Sequence, residues 1–264
     1  RKPSLGQHFL IDPIVLQRIV EAGEINELDT VVEVGPGKGV LTRELVARAK
    51  SVIAIEIDST LARNLSGKLN NPPNLTVLCE DARTYGFDTD SSLSESYKMV
   101  ANLPYYAASL IVRRFLESAI KPSLMVVTLQ KEVAEAMVAK PGRMSILSVG
   151  TQFFGIPRIV CTVMPSAFRP SPRVTSAVVR IDVRSRPAVN VTNIVDFFAV
   201  VHAGFAAPRK QIRNSLALGI GFSASEAEQL LTAAGIDHQR RPSTLCIFEW
   251  AHLYHTYLDR QTGI

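Results

Sequence analysis

Apolar positions divide the chain into two stretches of different period. Up to about residue 183, β-branched runs of the buried-strand kind alternate with segments in which apolar residues recur every three or four positions. Thr30-Val31-Val32-Glu33-Val34, Ser51 to Asp58, Asn74 to Cys79, Lys98 to Ala101 and Leu124 to Leu129 predict strands. Between them, Asp12-Pro13 ahead of Val15, Leu16, Ile19 and Val20, with Gly23 as a stop, predicts a capped first helix. Val40 to Leu45 and Leu61 to Leu69 have the same helical spacing. Ser148 to Phe154, Ile159 to Val163 and Ala177 to Ile181 predict further strands with short connections. Strands alternating with helices predict an α/β fold with a doubly wound, mostly parallel sheet, and the later strands predict an antiparallel hairpin at one edge.

Beyond Arg186-Pro187 no strand-like run follows. Ile194, Phe197, Phe198 and Val201 share one helical face, Ser225-Glu226-Ala227-Glu228 reads as a capping box before Leu230 and Leu231, and Ile247 to Leu258 is amphipathic. The expected organisation is an α/β domain over residues 1–188 and a small all-helical domain over 189–264. The acid- and serine-rich stretch Asp88 to Ser96 is expected to be an exposed loop.

Chemistry enters where strands end. The first long strand runs into Gly35-Pro36-Gly37-Lys38-Gly39, a turn whose glycines let backbone approach a ligand at a helix N-terminus. Val40 stands where a dinucleotide fingerprint needs its third glycine, which disfavours a nicotinamide cofactor. Glu56, at the end of the second strand, can accept from both hydroxyls of a ribose, and Asp81, after the third, can accept from an exocyclic amine such as that of adenine. Ile57 and Ala82 beside them could sandwich a purine. Three strand ends in register predict a nucleoside-bearing ligand.

At the fourth strand end stands Asn102-Leu103-Pro104-Tyr105. An exocyclic amine on an aromatic base is a poor nucleophile, because its lone pair is delocalised into the ring. The Asn102 side-chain oxygen and the Leu103 carbonyl can hold its hydrogens so that the lone pair points at an electrophile. Pro104 stiffens the turn, and Tyr105 offers a face for a base.

Charge adds a partner. Lys and Arg number 29 against 24 Asp and Glu, a net +5. Arg158 to Arg186 carries six bases and one acid, so the whole excess falls in that segment. A polyanion is the expected partner. The mean hydropathy of +0.14 suits a globular protein, no run approaches the roughly 20 apolar residues of a membrane span, and Arg1 to His8 lacks the apolar core of a secretory leader. Cys79, Cys161 and Cys246 are far apart and fit neither a disulfide framework nor a zinc site. A cytoplasmic protein without metal is expected.

Taken with Gln7-His8-Phe9-Leu10, Leu129-Gln130-Lys131-Glu132-Val133-Ala134, Phe168-Arg169-Pro170-Ser171-Pro172-Arg173-Val174-Thr175-Ser176-Ala177-Val178 and Arg209-Lys210-Gln211-Ile212-Arg213-Asn214-Ser215-Leu216, these signatures resemble the ordered motifs of the ribosomal RNA adenine N6-dimethyltransferases. The resemblance implies a Rossmann-like methyltransferase sheet with S-adenosylmethionine as methyl donor. It places His8, Leu10, Gly35, Gly37, Glu56, Ile57, Asp81, Ala82 and Asn102 around the donor. His8 stands where many members have asparagine, and Tyr106 where asparagine is frequent. Phe168 matches a second aromatic that could stack on a flipped base opposite Tyr105. Arg169, Arg173, Arg209, Lys210 and Arg213 would meet RNA, with Arg209 and Arg213 on one face of a helix. The motif set resembles the branch that dimethylates two adjacent adenosines near the 3′ end of small-subunit, 16S-type rRNA more than the branch that modifies large-subunit RNA. Its partner would be a precursor of the small ribosomal subunit, and a monomer is expected. A binding protein that has lost catalysis would have no need of the intact Glu56, Asp81 and Asn102 set.

Overall fold

The computed structural model describes residues 7–86 and 96–262, so the expected loop at Asp88 to Ser96 lies almost wholly outside the described residues. The chain forms two compact units, Arg1–Glu135 with Gly155–Ser185, and Ala136–Phe154 with Arg186–Ile264.

The first unit is built on a seven-stranded sheet. Its strands are β2 (Thr30–Val34), β3 (Ser51–Ile55), β4 (Leu75–Leu78), β5 (Tyr97–Asn102), β6 (Leu124–Gln130), β7 (Gly155–Val163) and β9 (Ser176–Val183), in the order β4-β3-β2-β5-β6-β9-β7. Neighbours from β4 to β6 are parallel, and β9 is antiparallel to both β6 and β7, as the alternation and the late hairpin predicted. A second, two-stranded sheet pairs β1 (Phe9–Leu10) with β8 (Phe168–Arg169), Phe9 opposite Arg169 and Leu10 opposite Phe168. Nothing in the local pattern announces that pair.

Helix α1 (Pro13–Gly23) begins as its sequence requires, the Asp12 carboxylate accepting from the N–H groups of Ile14 (2.8 Å) and Val15 (3.2 Å). Its face of Val15, Ile19 and Val20 joins Val31, Val52, Val100, Val126 and Val178 of the sheet in one buried core. Truncating the fully buried Ile19 to Ala would cost about 2–5 kcal/mol. Helices α2 (Val40–Val46), α3 (Ser59–Lys68) and α4 (Ala108–Glu117) follow β2, β3 and β5, and α5 (Lys131–Met137) follows β6.

Part of the charge excess is internal to this unit. The side chain of Arg180 on β9 is 10% exposed and bonds Glu24 (2.5 Å) and Asp182 (2.7 Å), while Arg158 reaches Asp182 at 4.0 Å. The guanidinium of Arg180 holds the Glu24 carboxyl below its usual range. One of the six cations of the Arg158 to Arg186 segment is therefore taken up in part by an acid outside it.

The second unit holds α6 (Ile146–Phe154), α7 (Ile194–Gly204), α8 (Ile212–Ile220), α9 (Ala224–Ala233) and α10 (Ile247–Thr262). Ser148 to Phe154, expected as strand, is helix. Ser145 and Ser148 bond each other's backbone N–H (3.3 and 2.6 Å) to start it, and Val149 and Phe153 bury one helical face. A seven-residue stretch whose apolar side chains are Val149, Phe153 and Phe154 does not by itself separate strand from buried helix. The ring of Phe153 stacks on Phe197 at 5.0 Å, with Phe154, Phe198 and Tyr254 completing an aromatic core. Helices α7 and α8 touch at Gly219, where an added Cβ would lie 2.3 Å from the Cα of Ala203. The capping box lies two residues earlier than read from the sequence: Ser223 Oγ accepts from Glu226 N, and Glu226 accepts from Ser223 N at 2.8 Å. Ser225 already lies inside α9.

Candidate active site

Strand order reverses between β2 and β5, and in an open α/β sheet the crevice outside that point binds the ligand. Here the carboxyl ends of the parallel strands deliver their loops into one cleft. Twelve of the predicted residues line it, namely His8, Leu10, Gly35, Gly37, Glu56, Ile57, Asp81, Ala82, Asn102, Leu103, Pro104 and Tyr105.

The glycine turn after β2 runs through left-handed backbone at Gly35, Gly37 and Gly39, with φ of 70°, 57° and 84°. At Gly37 an added Cβ would stand 2.9 Å from the Phe9 ring, so the turn is closed by β1 as well as by its own conformation. The Gly37 N–H donates to Glu56 Oε2 and the Asp58 N–H to Glu56 Oε1, each at 3.0 Å. Asp58 in turn caps α3 through Thr60 and Leu61. Burial raises the Glu56 carboxyl above its ordinary range, against the pull of these two N–H groups. Each oxygen is thus oriented by one backbone donor and keeps further acceptor capacity for a hydroxyl.

Glu33, on β2, also lines the cleft and is 1% exposed. Its Oε2 has no hydrogen-bond partner among the described residues. Burial pushes its carboxyl up to about 8, with the Thr42 hydroxyl beside it opposing that rise and the Glu56 charge adding to it. An orphaned buried acid at a cleft wall fits a cationic ligand group. Glu33 is not singled out by the sequence pattern; a lone acid in a Val-rich strand is the available signal.

Asp81 is engaged. Arg83 closes on it through Nε and Nη2 at 2.6–3.0 Å, which holds the acid below its ordinary range, and the guanidinium lies over Tyr106 at 5.8 Å from the ring centroid. An adenine amine would share or displace that clasp. Arg83 was not singled out from the sequence, although it stands two residues from Asp81.

Asn102 ends β5. Its amide nitrogen donates to the His8 carbonyl (3.0 Å), so the oxygen is the half of the amide available to an incoming N–H. Leu103 is held by its own N–H to the Thr128 carbonyl of β6 (3.0 Å), and Pro104 accepts from Ala107 N to form the turn (3.0 Å). The Tyr105 hydroxyl lies 2.5 Å from Ser176 Oγ, which fixes the ring's direction. The His8 ring stacks on it, 5.6 Å between centroids and 28° between planes, and His8 Nδ1 lies 2.7 Å from the Pro170 carbonyl. His8 therefore faces the aromatic platform as well as the donor side of the cleft.

Phe168 departs from expectation. Its ring is fully buried, packed in the core across from Leu10, and is not on the cleft wall. The pairing of β8 with β1 turns the ring inward, so in this conformation it presents no face to a base. Arg169 and Arg173 are exposed. Arg209 and Lys210 are exposed too, but they precede α8, which begins at Ile212, so Arg209 and Arg213 do not share a helix face. Arg213 is bonded to Glu228 at 2.6 Å.

The ribosomal RNA adenine dimethylase family matches residues 1–253. The chain belongs to that family. It is 44% identical over 252 residues to the ribosomal RNA small subunit methyltransferase A of Dehalococcoides mccartyi, covering 96% of this chain and 87% of that one. It is 40% identical over 270 residues to the protein of the same name from Pelotomaculum thermopropionicum, covering 98% and 92%. Among solved structures, the 23S rRNA methyltransferase ErmE is 30% identical with a TM-score of 0.74, covering 94% of this chain and 98% of that one. A dimethyladenosine transferase from Plasmodium falciparum, 24% identical, shares the fold with a TM-score of 0.80, covering 97% and 99%. Adenine dimethylases of this family take the methyl group from S-adenosylmethionine, and the acids expected to meet its base and ribose, Asp81 and Glu56, both line the cleft. No cluster of three metal-ligating side chains occurs among the described residues, and no helix there is long and apolar enough to cross a membrane.

Proposed function

We propose that this protein transfers methyl groups to the 6-amino nitrogens of two adjacent adenosines near the 3′ end of small-subunit rRNA, acting as a cytoplasmic monomer on a precursor of the small ribosomal subunit. The observation that carries the reading is the setting of Asn102: pinned by its nitrogen to the His8 carbonyl at the sheet's reversal point, it offers its oxygen beside the Tyr105 platform. The small-subunit choice is supported by relatives at 40% and 44% identity that bear that name, against 30% for the large-subunit enzyme.

Bound in the cleft, S-adenosylmethionine supplies a sulfonium-activated methyl group. Tyr105, steadied by Ser176, receives a flipped adenine once the His8 ring gives way. Asn102 Oδ1 and the Leu103 carbonyl accept from its amine and point the lone pair into the cleft. The nitrogen turns acidic as it is alkylated and releases its proton to water, so the side chains act by orienting rather than by abstracting. Arg169, Arg173, Arg209 and Lys210 hold the RNA through its phosphates.

Incubation with labelled donor and unmethylated small subunits, followed by mapping, tests this. Label is expected as N6,N6-dimethyladenosine at two neighbouring positions. Label in large-subunit RNA instead would overturn the assignment.

A further inference from the structure

The methionyl end of the donor carries a carboxylate, whereas the side chains described so far as meeting the donor are acids, an amide, the His8 imidazole and apolar groups. Two cations of fixed charge line the cleft, Lys38 and Arg83. Arg83 is closed on Asp81 at the β4 edge. Along the sheet from β4 to β5, the loops run from the base acid Asp81, through the ribose acid Glu56 and the glycine turn, to Asn102. A donor laid along that line has its base by Asp81 and its methionyl end by the glycine turn and β1.

Lys38 stands at that end. It follows Gly37, whose N–H touches the ribose acid. Its ammonium lies over the Phe9 ring, 4.6 Å from the centroid, and it forms no ion pair among the described residues. Phe9 is itself wedged against Gly37 and paired through β1 to β8, so the ring that carries the ammonium is fixed. A lysine stem resting on a fixed aromatic loses less freedom on binding than one waving in solvent.

We propose that Lys38 is the specificity residue for the donor's carboxylate, distinguishing a donor with an intact amino-acid end from one lacking it. The proposal rests on the donor reading above, and the experiment separates the two. Wild type and Lys38→Met, which keeps the stem over Phe9 and removes the charge, are titrated calorimetrically with S-adenosylmethionine and with its decarboxylated analogue. Wild type is expected to favour the carboxylate-bearing form, and Lys38→Met to reduce that preference about five- to tenfold, the size of a partly exposed charge-assisted contact. Affinity for the decarboxylated form should stay within about twofold, because the contact is absent in both proteins. Lys38→Arg should restore the preference. An unchanged preference in Lys38→Met, or an equal loss for both ligands, overturns the role of Lys38 while leaving the donor site standing. Failure of wild type to bind either ligand overturns the donor reading itself, and the Lys38 proposal with it.

Discussion

In the cleft, Gly37, Glu56 and Asn102 lie at or just after strand ends and are held through backbone groups, Glu56 by the Gly37 N–H and Asn102 by the His8 carbonyl, whereas Arg180 and Arg213, surface charges when read along the sequence, pair with carboxylates, Glu24 and Glu228, that no local pattern points to. The contrast teaches where chemistry can be read locally. A strand end in a parallel sheet has one address, set by the ladder, so a motif placed there keeps its direction. A guanidinium on a long stem has many addresses, and its partner is chosen by tertiary proximity: Glu24 lies 156 residues from Arg180, and Glu228 lies 15 from Arg213.

The largest test of that contrast is Asn102→Ala. Methyl transfer should fall by at least about 10²–10³-fold while S-adenosylhomocysteine binds at most about threefold more weakly, since the amide's larger task is to orient the amine. Single-turnover assays with calorimetry would check this, and near-normal turnover would remove Asn102 from the mechanism. Next in size is Glu33→Gln. The Glu33 carboxyl keeps its proton in the fold up to about pH 8 but releases it near 4.5 when unfolded, so wild-type stability is intact below that lower value and declines as pH rises toward 8. Denaturant melts should show the Gln variant gaining on wild type across that window, by roughly 3 kcal/mol near pH 7. A constant difference from pH 4 to 8 would mean that the acid is not buried neutral.

Glu56→Gln should weaken donor binding about tenfold, the loss of a charged acceptor for the ribose hydroxyls. Equal affinity would break the reading of that strand end. The smallest effects belong to the basic residues, and they divide. Arg209→Glu should weaken RNA binding and reduce the salt slope by about one unit, with the melting temperature unchanged. Arg213→Glu should instead lower the melting temperature by a few degrees, through repulsion of Glu228, and move the salt slope less. Filter binding over a salt series with parallel thermal melts measures both. If the two substitutions shift the slope alike, the division of cations into internal and external fails.

The doubly wound sheet and its edge hairpin were legible because β-branched runs and glycine turns are local signals. The same holds for the approximate line of Glu56, Asp81 and Asn102 along the strand ends. What escaped depends on distant partners. The inward turn of Phe168 follows from its pairing with Leu10, and the stacking of His8 on Tyr105 from the fold of a segment that no period describes. The helix at Ile146–Phe154 was hidden because its apolar run suits either state, and the tertiary aromatic core decides.

The pairing of β1 with β8 sets an order of events during synthesis. His8 waits for Pro170, 162 residues later, before its wall of the cleft exists. At roughly 5–20 residues per second, the glycine turn and the Glu56 loop leave the ribosome about 6 to 26 seconds before the strand that seats Phe9 against Gly37. A nascent chain therefore holds an open half-cleft for much of its translation. Donor retention then belongs to chains extended past residue 169 of 264, so capture of S-adenosylhomocysteine by stalled nascent chains should begin only once β8 has emerged.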